Sequence, residues 1–163
     1  MSAPTQAAQV YDDLITLIES VYPVSDGWKE LVNPYDPGMS DDLTANQAWG
    51  LTQNSGTNTN RLVNCSVTWR RDFELILVRK YHSGMIRTVN AMNDRRALEM
   101  QLFLDQELLM KKLEHDPLVD GSHAIAQARM ESDNGIEFMR DGDEQFFMLK
   151  SLIFVEYFVS LET

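Results

Sequence analysis

Few side chains in this sequence have the means to do chemistry. There is one cysteine, Cys65, and there are three histidines, His82, His115 and His123. A cysteine acts as a nucleophile when a neighbouring base holds it as the thiolate. Cys65 instead shares the alternating apolar parity of Val67, Trp69 and Phe73, where a cysteine packs as a small hydrophobe. His115-Asp116 and Asp120-Gly121-Ser122-His123 contain metal-ligand types. Their histidines are separated by a proline loop, however, and the segment reads as an exposed helix end. Asp41-Asp42 and Asp141-Gly142-Asp143-Glu144 are acid clusters without the spacing of a calcium loop, and they read as turns. The eight glycines are scattered. They form neither of the glycine-rich loops that cradle phosphates nor the nucleophile elbow of the hydrolases. The expectation is therefore a protein with no catalytic residue, no cofactor and no metal. A hydrolase using the acid clusters with His115 or His123 is the enzymatic alternative.

The remaining chemistry is charge. Residues 1–60 sum to −7, residues 61–97 to +5 and residues 98–163 to −9, for a net charge of −11. So acidic a chain is a poor general binder of nucleic acid, because phosphate neutralisation needs a basic surface. The basic middle segment has two explanations. Its arginines pair with acids of the same chain, or basic and acidic faces meet between copies of the protein.

These residues must be positioned by regular elements. Val10, Leu14, Leu17, Ile18 and Val21 recur at helical spacing, with Asp12 and Asp13 expected in the first turn and Pro23 as a stop. Residues 33–61 carry Pro34, Pro37, Gly38 and the polar run Asn54 to Asn60. They are expected to form a long loop or arm, with a short strand near Trp49, set against the alternative of an ordinary surface loop. Cys65 to Tyr81 alternates apolar and polar residues over a length unusual for a strand, and a bulge is expected near Arg71 or Arg79. A long helix is expected after Asn93 as its cap, with the stripe Leu98, Leu102, Leu109 and Leu113 widened by Ala97, Met100, Phe103, Leu104 and Leu108. Ala124–Glu131 and Ile136–Arg140 read as two strands joined by an Asn134-Gly135 hairpin turn. Phe146–Glu162 reads as a last strand, apolar on both faces, which places it centrally or against a partner.

The order αββαβββ implies an α+β fold: a largely antiparallel sheet of four to five strands with two helices packed on one face. The 163 residues suggest one domain. The longest apolar run, Leu152 to Val155, is far below the roughly 20 residues that a membrane helix needs. The N-terminal segment lacks the pattern of a secretory signal, and the lone cysteine suits a reducing compartment such as cytoplasm.

Over most of its length the pattern resembles the tail-terminator and neck-joining proteins of long-tailed bacteriophages. The resemblance is carried by the leading helix Val10 to Val21 and by Asn33-Pro34-Tyr35-Asp36-Pro37. It extends through the polar arm ending Asn58-Thr59-Asn60-Arg61, the strand Ser66 to Phe73, and the closing pair around Gly135-Ile136-Glu137-Phe138 and Phe146 to Val159. It implies a non-enzymatic virion protein, assembled in the host cytoplasm, forming a hexameric ring that caps the tail tube and meets the head connector. Genomic DNA would pass through the lumen without specific binding, and no membrane would be involved. A head-closure or adaptor protein of the neck, and a non-viral small cytoplasmic binding module, are the alternatives. The arm and the basic segment supply the expected subunit interface: Trp49, Asn58, Asn60, Arg61, Arg70, Arg71 and Arg79.

Overall fold

Apolar residues at helical spacing build α1 (Gln6–Val21), which buries Val10, Leu14 and Ile18. The structure, a computed structural model, describes residues 6–36, 46–63, 66–81, 91–115, 125–141 and 144–161. After α1, a short 3-10 turn at Val24–Asp26 ends at Gly27 and leads into β1 (Trp28–Glu30). Then follow β2 (Gln47–Val63), β3 (Ser66–Tyr81), α2 (Ala91–His115), β4 (Ile125–Asp141) and β5 (Glu144–Ser160). The sheet order is β1-β2-β3-β5-β4. β1 runs parallel to β2, and every other neighbouring pair is antiparallel. The fold is α+β around one mixed five-stranded sheet.

Both helices lie on the same sheet face. Val10, Leu14 and Ile18 of α1 and Leu102, Leu109 and Leu113 of α2 share one buried cluster with Trp49, Leu51, Phe73, Leu75, Leu77, Leu149, Ile153 and Val155. Each such side chain contributes about 1.5–3 kcal/mol when fully buried. A second, smaller cluster occupies the opposite face, where Leu31 packs with Ala48, Ile76, Val78, Phe146 and Met148. The apolar character of β5 on both faces therefore matches its central place between β3 and β4.

Lengths set the limits of this cover. Strands of 17 residues reach about 55 Å, whereas the 25-residue α2 reaches about 37 Å. Helices of that size cannot shield the whole sheet. Residues Gln53 to Asn58 of β2 are exposed, and Val67 and Trp69 to Asp72 of β3 are half-buried.

Several expectations need correction. The element order is αβββαββ, because β1 is a strand too short to show a period and the expected Asn134-Gly135 hairpin does not form. Asn134-Gly135 is a bulge within one continuous strand, β4. The pairing jumps from Asp133↔Ser151 to Ile136↔Leu149. Gly135 takes φ +76°, and its N–H donates to Asp133 Oδ1 at 2.8 Å. The 17-residue β5 supplies ladder partners on both sides of the bulge, so the chain does not need to turn back.

The expected arm at 33–61 is largely strand. From Gln47 onward the chain pairs with β3, through Gly56↔Arg71, Thr57↔Arg70 and Asn58↔Trp69. Ladder bonds to β3 override the weak strand preference of Asn, Gly and Ser. The expected bulge lies on this strand, with register shifts between Gln53 and Gly56 and between Asn58 and Leu62, while β3 and β5 pair without a shift. Helix α1 starts at Gln6, which places Asp12 and Asp13 in its second turn. Helix α2 starts at Ala91, so Asn93 sits inside it and not at its cap. Residues 37–45 and Cys65 lie outside the described residues.

Candidate assembly surface

The residues nominated from sequence fall into different environments. Trp49 is 2% exposed within the main core, so it presents no surface to a neighbour. Arg79 also turns inward. Its Nε and Nη2 donate to Asp105 Oδ2 and Oδ1 at 2.6 and 3.0 Å, a fork-to-carboxylate pair, and its guanidinium lies 5.3 Å from the Trp28 ring centre. Gln101 donates to the same carboxylate at 3.1 Å, and the Tyr22 hydroxyl donates to the Asp105 carbonyl at 2.6 Å. Burial, reinforced by the Asp105 charge and opposed by Arg79, pushes the Tyr22 phenol well above its ordinary pKa. It remains a donor. This joint ties the end of α1 to α2 and β3.

Arg70 points to the opposite sheet face, on the parity of Ile76 and Val78. It donates to Asp72 Oδ1 at 2.9 Å and to Glu131 Oε2 at 2.8 Å, and its guanidinium sits 4.3 Å above the Phe154 ring. Arg129 approaches the same ring at 5.3 Å. For Arg70 and Arg79, pairing within the chain is thus the explanation that holds.

Arg71 differs. It lies on the helix-side face with Trp69 and Phe73, toward the end of the sheet that the helices leave partly open. Its Nε and the Trp69 Nε1 are both buried without a hydrogen-bond partner among the described residues. Gly56 stands opposite. A Cβ there would fall 2.6 Å from Trp69 Nε1 and 2.8 Å from Arg71 Nη2, so only glycine leaves these donors room. Asn58, paired with Trp69 in the ladder, is exposed beside them. Asn60 and Arg61 belong to β2, but their side chains lie outside the described residues.

A second surface was missed by the periodicity of the sequence. Met100, Phe103, Leu104 and Leu108 do not widen the buried stripe of α2. They face away from the sheet and are 44–59% exposed. The available signal was excess, because a helix carrying apolar residues around its circumference has more than one sheet face can take. Glu99 and Glu107 flank them in i,i+4 pairs with Arg95 and Lys111.

A cleft of about 250 Å³ is lined by Glu19, Tyr22, Val24, Glu30 and Trp49. Burial, and then the Glu19 charge, raises the Glu30 carboxyl above the ordinary carboxylate range. Among the described residues no group of three or more His, Cys, Asp or Glu is placed to hold a metal ion. His82 and His123, and the side chain of His115, lie outside them. No described helix is long and apolar enough to cross a membrane. Comparison with protein-family models and with curated proteins found no match to the chain.

Proposed function

We propose that this chain is a structural subunit that works by assembling with copies of itself, in the manner of the tail-terminator and neck proteins its sequence pattern resembles. The proposed assembly is a hexameric ring in the virion that caps the tail tube, meets the head connector and lets DNA pass. The role requires neither catalysis nor a cofactor. The observation that carries it is the outer face of α2, where Met100, Phe103, Leu104 and Leu108 form one apolar stripe in water. Such stripes mark interaction surfaces. A head-to-tail ring buries two different surfaces per subunit, and the open end of the β2–β3 hairpin supplies a second. Surplus acid, with a net charge of −11, suits a lumen that repels DNA and allows it to slide.

The test is native mass measurement with negative-stain imaging over a concentration series. Six-fold rings are expected. The double variant Leu104→Gln/Leu108→Gln is expected to stay folded and to lose them. A wild-type protein that stays monomeric up to hundreds of micromolar overturns the ring. That outcome favours a small binding module acting through the Glu19–Glu30 cleft. Rings that bind connector but no tube would point to a head-closure or adaptor role.

A further inference from the structure

We infer that the bulge at Asn134-Gly135 is a site of covalent self-modification, where Asn134 is converted to aspartate or isoaspartate and Asp133 takes the proton that starts the reaction. The site is independent of the assembly reading. The chemistry is attack by a backbone nitrogen on the side-chain amide of the residue before it. It needs an accessible amide, a following residue that does not crowd the ring being closed, backbone free to turn, and a base on the N–H. The bulge supplies all four. Asn134 is exposed, and it is the one asparagine in the sequence followed by glycine. Gly135 has no Cβ to obstruct ring closure, and nothing lies within 4 Å of where one would stand. The pairing with β5 passes from Asp133↔Ser151 to Ile136↔Leu149, so neither Asn134 nor Gly135 has a ladder partner to hold the peptide between them. The Gly135 N–H donates to Asp133 Oδ1 at 2.8 Å, within reach of proton transfer to a general base. The other oxygen of that carboxylate accepts from Gln106 Nε2 of α2 at 3.0 Å, so the base is held from outside its own strand.

The steps balance with water as the only co-reactant. Gly135 N gives its proton to Asp133 Oδ1, turns toward Asn134 and attacks Cγ. The new N–Cγ bond closes a succinimide ring. The Cγ–Nδ2 bond breaks, and ammonia leaves with the proton that Asp133 returns. Water then opens the ring. Addition at Cγ restores the original backbone and leaves aspartate. Addition at the backbone carbonyl leaves isoaspartate, whose side-chain methylene enters the main chain. Either product adds a carboxylate to an edge strand that already carries four acids against two bases. The charge of that edge therefore grows more negative as the protein ages.

The experiment is a time course of the folded full chain at neutral pH, with peptide mapping by mass spectrometry to read conversion at each asparagine. Asn54 is the internal reference. It too is exposed and lies in a bulge, between Gln53 and Gly56, but Ser55 follows it. Asn134 is expected to convert at least about tenfold faster than Asn54. Asp133→Ala, checked for folding by its unfolding midpoint, is expected to slow Asn134 about tenfold or more. It should also change the pH profile. A carboxylate base keeps the wild-type rate nearly level from pH 6 to pH 8, whereas the variant, left to hydroxide, should gain about tenfold per pH unit. If Asn134 converts no faster than Asn54, or does so only once the chain is unfolded in urea, the site is overturned. If Asp133→Ala matches wild type in rate and pH profile, the assigned base is wrong and the inference fails.

Discussion

Arg79 and Arg71 sit on the same strand, eight residues apart and on the same face, yet they meet opposite conditions. Arg79 lies under the helices, where Asp105 of α2 receives both arms of its fork and its guanidinium carbon sits over the Trp28 ring, 5.3 Å from the ring centre. Arg71 lies about 26 Å further along β3, where its Nε is buried but has no acceptor among the described residues. The difference teaches that a long sheet under shorter helices has a finished end and an unfinished one. At the finished end the Arg79 fork is satisfied by Asp105. At the unfinished end Arg70 finds Asp72 and Glu131, whereas the Arg71 Nε and the Trp69 Nε1 have no partner among the described residues.

The sharpest way to break this contrast is at the finished end. Arg79→Ala strands the Asp105 carboxylate, whose side chain is 3% exposed, and is expected to cost about 3–5 kcal/mol in urea unfolding. Replacing both partners by apolar residues, Arg79→Met with Asp105→Leu, should cost far less. A single-variant loss below about 1 kcal/mol would show that the pair is not the joint described. Truncating the core measures the same asymmetry. Phe73→Ala, at 0% exposure, is expected to cost about 3–5 kcal/mol. Gln53→Ala, its exposed ladder partner on β2, should stay within about 0.5 kcal/mol. Equal losses would contradict the division into covered and open regions.

Smaller effects sharpen it. At Gly135, φ is +76° and nothing lies within 4 Å of an added Cβ, so Gly135→Ala meets backbone strain alone, about 1 kcal/mol. A loss several times larger would mean that the bulge, and not β5, holds β4 in register.

The smallest effect is Glu30→Gln, expected to gain about 0.3 kcal/mol near neutral pH. Burial and then Glu19 raise the Glu30 carboxyl. Its contribution to stability is therefore full below the ordinary glutamate pKa, and it is lost as pH rises through the higher folded value. The glutamine variant removes that loss, so its advantage should be present at pH 7 and absent at pH 3. An advantage equal at both would show that charge is not its cause.

Much of the finished end is legible in sequence. Val10, Leu14 and Ile18 at helical spacing, and the alternation from Val67 to Tyr81, specify α1 and β3 because periodicity reports which side of an element is buried. The stripe Leu102, Leu109 and Leu113 likewise marks the inner face of α2. The open end was harder to read. Asn54 to Asn60 has the composition of a loop and lies mostly in strand, because β3 offers it ladder partners. Asn134-Gly135 has the composition of a hairpin turn and forms a bulge, because β5 runs past it. The outer face of α2 was assigned to the core, since sequence does not say how much apolar surface a sheet can accept.

By itself, then, the sequence determined the two helices, the long alternating strand β3, the apolar last strand, the charge imbalance and the shared parity of Arg71 and Arg79. Only the tertiary structure decided which arginine is satisfied. Parity is a local property of the backbone. A partner for a guanidinium depends on where a helix some twenty-five residues later in the chain lays its one buried carboxylate, and α2 brings Asp105 to Arg79 alone.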